Sequence, residues 1–213
     1  MNFKRILKLF LYLIVAVVNS SANAGAYDDY FRAIVQDDAP AIARLLQRGF
    51  DPNTRDEQGQ VGLYLALRGG SFAAAQALLD APGLEVDALN AAGETPLMMA
   101  ALRGQTSWID KLLARGARVH QEGWSPVLYA AGAPDAKALA LLLERGAPAN
   151  ARSPNGTTPL MMAARYGAEA AVDLLLGHGA DPKLRNDHEL GAGDFARQAG
   201  REALARRLDA LAR

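Results

Sequence analysis

Gly156-Thr157-Thr158-Pro159-Leu160-Met161-Met162-Ala163-Ala164, followed by Leu174-Leu175-Leu176 and then by Gly179-Ala180-Asp181-Pro182, is the fullest statement of a phrase that this chain repeats. Two landmarks measure its period. The Gly after the leucine-rich segment falls at Gly49, Gly83, Gly116, Gly146 and Gly179, in steps of 34, 33, 30 and 33 residues. The residue that opens the alanine-containing segment falls at Gly62, Pro96, Pro126, Pro159 and, more loosely, Ala192. Self-similarity at such a period describes a stack of supersecondary units, each burying its apolar face only against its neighbours.

Each part of the phrase has a physical role. Thr95, Ser125 and Thr158 are placed to cap a first helix, and the Pro that follows occupies the first turn, where a missing N–H costs nothing. The pairs Ala100-Ala101, Ala130-Ala131 and Ala163-Ala164 keep one helical face thin, so that the next repeat approaches closely. Leu112-Leu113, Leu141-Leu142-Leu143 and Leu174-Leu175-Leu176 supply the apolar face of a second helix. The Gly after it ends that helix in the left-handed conformation.

With Thr-Pro-Leu, the alanine pair, Leu-Leu and Gly-Ala-Asp in register at 93–117 and 156–181, the chain resembles the ankyrin repeat family from roughly Tyr27 to Arg213. The resemblance implies an all-α solenoid of stacked helix-turn-helix units with projecting turns. About six repeats are expected within a domain at 25–213. Caps cover about 27–53 and 186–213, and full repeats cover about 54–87, 88–120, 121–150 and 151–183. Phe31, Ile34, Ile42, Leu45 and Leu46 are expected to face inward in the first cap. In the last, Phe195, Ala196, Leu204, Leu208 and Leu211 are expected inside, with Arg197, Arg201, Arg206 and Arg207 outside.

Departures from the family pattern are as telling. Tyr64, Met98, Leu128 and Met161 stand where the family usually has His, which removes the hydrogen bonds that a His makes within the turn. Val61-Gly62 replaces Thr-Pro in the second repeat, so its first helix lacks a cap and is expected to fray. Pro126 comes only ten positions after Gly116, against thirteen at the other junctions, so the projecting turn there is expected to be clipped.

The N-terminus has another character. Lys4, Arg5 and Lys8 precede an apolar run from Leu9 to Val18, and Ala22-Asn23-Ala24 has the small-x-small form of a processing site. The expectation is a cleaved signal at 1–24 and a periplasmic protein without a stable membrane anchor. A retained anchor is the alternative. Without 1–24 the chain carries twenty basic and twenty-three acidic residues, a balance that offers nucleic acid no attraction. With no cysteine, stability rests on the stacked interfaces, and polar caps suit a monomer.

No motif carries chemistry. His120, His178 and His188 lie in different turns without a second ligand at metal-binding spacing. Gly191-Ala192-Gly193-Asp194-Phe195-Ala196 matches a dinucleotide fingerprint in letters, yet no strand pattern precedes it. Met98-Met99 and Met161-Met162 occupy core positions of the repeat rather than a copper site. No catalytic, cofactor, metal or small-molecule site is expected.

What remains is a surface. The resemblance implies docking on the concave face, built from the projecting turns and the exposed flank of the first helices. Carried over by register, the partner-binding candidates are Gln60, Arg68, Glu94, Arg103, Trp124, Thr157, Arg165 and Tyr166. Trp, Tyr and Arg are the types enriched at binding hot spots. For Trp124 the alternative is a local plug folded back over the clipped turn. For the arginines it is internal pairing with turn acids such as Glu94. The expected activity is protein recognition, with one or more envelope proteins as partners. Scaffolding and immunity against a toxic envelope enzyme both remain open.

Overall fold

The computed structural model describes residues 25–213, and the expected signal segment lies outside the described residues. Helix α1 covers 25–35 and pairs with α2 (Ala39–Gln47). Five further pairs follow: α3 (Gly62–Gly69) with α4 (Phe72–Leu79), α5 (Pro96–Leu102) with α6 (Thr106–Ala114), α7 (Pro126–Ala131) with α8 (Lys137–Glu144), α9 (Pro159–Tyr166) with α10 (Glu169–Gly177), and α11 (Ala192–Gln198) with α12 (Glu202–Leu211). Among the described residues there is no strand, only two isolated bridges, Arg55 with Val61 and Arg185 with Gly191. The fold is an all-α solenoid.

The first helices of successive pairs pack side by side, α3 on α5, α5 on α7, α7 on α9 and α9 on α11. Their contact faces are the alanine pairs, all fully buried from Ala100 to Ala164. The closest approach is at Gly167, where a Cβ would lie 2.2 Å from the Ala131 carbonyl oxygen. The second helices contribute Ile109, Leu112, Leu139, Leu142 and Leu175 to the same continuous seam. The Gly residues after α2, α4, α6, α8 and α10 take φ between 76° and 98°, which lets each helix end without steric penalty.

Two of the three expected caps form. Thr95 Oγ1 accepts from the Met98 N–H at 3.2 Å, and Thr158 Oγ1 accepts from the Met161 N–H at 3.4 Å. Ser125 does not cap, and its Oγ is buried with no hydrogen-bond partner among the described residues. The uncapped start at Val61-Gly62 has a steric reason: a Cβ on Gly62 would meet the Tyr30 hydroxyl at 2.3 Å. Tyr30 is buried against this helix and donates its O–H to the Pro52 carbonyl at 2.9 Å. The first turn of α3, whose fraying the missing cap led one to expect, is therefore held by packing on the first repeat.

In the last repeat two expectations are corrected. Leu211 is 47% exposed, since none of the described helices covers this face of α12. Arg201 turns inward, and its Nη1 donates to the carbonyls of Ala163, Ala164 and Gly167 at 2.9–3.1 Å, satisfying the C-terminal end of α9. Gln105 does the same for α3 through the Leu67 carbonyl at 2.9 Å. Asp194 accepts from the Gly191 N–H at 2.9 Å, so Gly191-Ala192-Gly193-Asp194 is a helix start rather than a phosphate loop.

Replacing Gly167 with Ala drives a methyl group into the Ala131 carbonyl. Overpacking of this kind costs roughly 1–3 kcal/mol, so the midpoint of urea unfolding should fall clearly, whereas Gly177→Ala, which meets nothing within 4 Å, should leave it nearly unchanged.

Candidate functional site

The projecting turns are built alike, by a rule that the repeat letters did not expose. Asp56, Asn90 and Asn186 each accept two backbone N–H groups from their own turn, at 2.7–3.0 Å. Ser153 accepts the Thr157 N–H at 3.0 Å. A short polar side chain three residues before Gly59, Gly93, Gly156 or Glu189 is the signal that would have found them. Each such turn is also closed by backbone hydrogen bonds, as from the Asn90 N–H to the Glu94 carbonyl. The clipped segment between Gly116 and Pro126 has no such staple among the described bonds. Trp124 lies over Tyr129 there, edge to face, with ring centres 5.9 Å apart, and stays 36% exposed.

Next to it stands a polar cluster that ties three repeats together. Glu94 Oε2 accepts from the Tyr64 hydroxyl at 2.6 Å and from Asn90 Nδ2 at 2.9 Å, while Oε1 accepts from the Tyr129 hydroxyl at 2.8 Å. Asn90 Nδ2 also donates to Gln60 Oε1 at 3.0 Å. Partial burial pushes the Glu94 carboxyl up, but the bonds from Tyr64, Asn90 and Tyr129, helped by the Arg68 charge, outweigh it and hold the group below its ordinary range. Burial, the hydrogen bond to Glu94 and the charge of Glu94 push both phenols well above the usual tyrosine value. The position that normally carries His thus makes a hydrogen bond after all in the second repeat, through Tyr64, to the turn of the next repeat.

Beside this cluster opens a cleft of about 390 Å³ lined by Leu102, Trp124, Tyr129, Gly132, Met162 and Tyr166. Larger clefts at the first repeat are lined by charged groups such as Asp29, Arg32, Arg44 and Arg48. The cleft beside Gly132 is instead walled by apolar side chains, with Leu102 39% and Tyr166 56% exposed. Met162 is half-buried and forms part of its lining, whereas Met98 and Met161 are core. Trp108 is also core, stacked on Phe72 with ring centres 5.8 Å apart.

Of the sequence-derived candidates, Trp124 and Tyr166 meet at this cleft, while Gln60 and Glu94 belong to the polar cluster. Thr157 is 3% exposed, tucked under its own stapled turn, and offers no contact surface. Arg68 lies over the Tyr64 ring at 5.9 Å and Arg165 over the Tyr166 ring at 5.1 Å. Arg103 follows the cleft wall at Leu102 and is exposed. None of these three makes an ion pair among the described residues, so pairing with Glu94 does not occur. No group of three His, Asp or Glu side chains able to hold a metal ion occurs among the described residues, and no described helix is long and apolar enough to cross a membrane.

The family model for ankyrin repeats (three copies) matches residues 31–122 and again 98–186. The chain belongs to the ankyrin repeat family. An ankyrin repeat-containing protein of Treponema pallidum is 30% identical over 181 residues, which is 80% of this chain and 58% of that protein. The mouse B-cell lymphoma 3 protein homolog is 32% identical over 70% of this chain, and the chain spans only 35% of its length. Among solved structures, a chain from the complex of the Bd0816 predatory endopeptidase of Bdellovibrio bacteriovorus with the immunity protein Bd3460 superposes with a TM-score of 0.71 at 28% identity. The match covers 85% of this chain and 97% of that one. An ankyrin repeat domain of Acinetobacter baumannii reaches the same score at 25% identity, over 85% and 96% of the two chains. The ankyrin repeats make this chain a protein-protein interaction module.

The polar cluster makes a pH prediction. A Glu94 carboxyl held low contributes stability that is present above its unfolded value and is lost as the pH falls through its folded value; phenols held high contribute below their unfolded value near 10 and lose it as the pH rises. Hydrogen bonds to a charged group are each worth roughly 1.5–3 kcal/mol, so Glu94→Ala should cost about 2 kcal/mol at neutral pH. That deficit should shrink below the ordinary glutamate range in urea titrations; a deficit independent of pH would show that the carboxylate charge is not what matters.

Proposed function

We propose that this ankyrin protein is exported and holds an envelope protein on the concave side of its stack, with Trp124 and Tyr166 as its principal anchors. The observation that carries this reading is the meeting of exposed Leu102, Trp124 and Tyr166 around an apolar cleft. Isolated exposed apolar residues are ordinary, but a walled apolar recess bordered by arginines has the composition of a binding hot spot. Export is supported by Lys4, Arg5 and Lys8 ahead of the apolar run and by Ala22-Asn23-Ala24 after it. Holding a partner requires no catalytic group.

One observation favours a more specific use. The match to a chain of an endopeptidase–immunity protein complex spans nearly the whole of that chain, at 28% identity. Under this second reading the concave face occludes a toxic envelope enzyme rather than scaffolding a harmless one.

Affinity-tagged full-length protein, expressed in its own cells and recovered from the periplasmic fraction, should retain one dominant partner. Trp124→Ala combined with Tyr166→Ala should weaken that complex at least about thirtyfold, the range expected for hot-spot truncation, with unchanged helical circular dichroism. Undiminished capture would remove the concave strip, and recovery solely from the cytoplasm would remove export. A captured hydrolase whose activity falls in proportion to added protein supports the immunity reading; one that stays fully active supports the scaffold.

A further inference from the structure

The cleft exists because one repeat omits a side chain. Six residues after the start of the first helix the successive repeats carry Arg68, Leu102, Gly132, Arg165 and Gln198. Four are long, and Gly132 has nothing. The next position repeats the contrast, with Arg103 and Tyr166 on either side of Ala133, which is fully buried. A gap one repeat wide is left between Leu102 and Tyr166, floored by Tyr129 and Met162 and flanked by Trp124. Backbone geometry does not demand glycine there, since Gly132 has φ −88°, open to any residue. Nor does crowding, since a Cβ would meet Met162 Cε at 3.6 Å and Tyr166 Cβ at 3.7 Å, which are ordinary contacts. The missing side chain is not required by the fold.

Charge indicates what fits. Arg118, Arg145, Arg185, Arg197 and Arg207 are each paired with an aspartate. Among the described residues Arg165, stacked on the cleft wall Tyr166, has only the neutral Gln198 Oε1, at 2.8 Å. The guanidinium of Arg165 therefore keeps donors in a fork that matches a carboxylate. Glu94, the carboxylate that shares Tyr129 with the cleft, is already occupied by Tyr64, Asn90 and Tyr129. At about 390 Å³ the cleft is near the small end of ligand pockets, the scale of one or two side chains.

We propose that the gap at Gly132 receives a single bulky apolar side chain from an extended segment of the partner protein, and that a carboxylate next to that side chain pairs with Arg165. This rests on the concave-face reading above and names the partner's chemistry at that face.

The probes are two blocked dipeptides, N-acetyl-Leu-Asp-amide and N-acetyl-Leu-Lys-amide, titrated into isotope-labelled protein while amide and indole resonances are followed by NMR. The Asp peptide should shift the Gly132 amide and the Trp124 indole saturably, and should bind at least fivefold more tightly than the Lys peptide. Gly132→Leu should weaken it at least tenfold with an unchanged melting temperature, and Gly132→Ala should fall between. Arg165→Gln should bring the two peptides within twofold of each other. Shifts elsewhere or none at all, equal binding of the two peptides to the unmodified protein, or full binding by Gly132→Leu would each overturn the proposal. So would a dimer in sedimentation that Gly132→Leu converts to monomer, since a second copy would then fill the gap. If Gly132→Leu keeps the captured partner while Trp124→Ala with Tyr166→Ala loses it, the gap proposal fails and the concave-face reading stands.

Discussion

The contact on which everything else depends is the alanine-to-backbone apposition of neighbouring first helices. Ala100, Ala101, Ala130, Ala131, Ala163 and Ala164 are all fully buried, and at Gly167 the next backbone comes so near that no Cβ fits. Thin faces let the helices stack in register, and the register brings equivalent residues of successive repeats side by side. Dispersion over such close contacts is small per atom and large in sum. Because each unit buries its apolar face only against its neighbours, stability is shared along the seam instead of residing in one core.

The polar bonds between repeats obey the same geometry. Asn53 and Asn150 each reach across to the Gly that closes the next repeat's second helix, Gly83 and Gly179, at 2.9 Å. Arg145 with Asp110 and Arg207 with Asp173 span exposed intervals of one repeat. Exposed pairs of this kind contribute little each. The Glu94 cluster differs, because a partly buried carboxylate with three donors from three repeats restricts how those repeats move relative to one another. It borders the cleft, and the two share Tyr129.

Where the repeat departs from its pattern, the departures do not share one cause. Gly62 stands in place of Pro because Tyr30 of the first repeat occupies the space. The short junction before Pro126 carries His120 where the other turns carry the Asp, Asn or Ser that staples them, and Trp124 settles on Tyr129 there. Gly132 answers to no steric or backbone demand, and its missing side chain is what leaves the recess open.

The repeat period, the helix starts at Pro96, Pro126 and Pro159, the Gly ends and the all-α stack were legible in the residues alone, because capping, helical periodicity and left-handed glycine are local effects. Trp124 and Tyr166 could also be placed on one strip by counting register. Other features could not be read, since they depend on residues about thirty positions apart meeting at atomic distance: the burial of Thr157, the inward turn of Arg201, the capture of Glu94 by two tyrosines, and the cleft beside Gly132. Sequence specified which units stack; only the stacked structure decided which side chains face one another across the seam, and so where a gap was left.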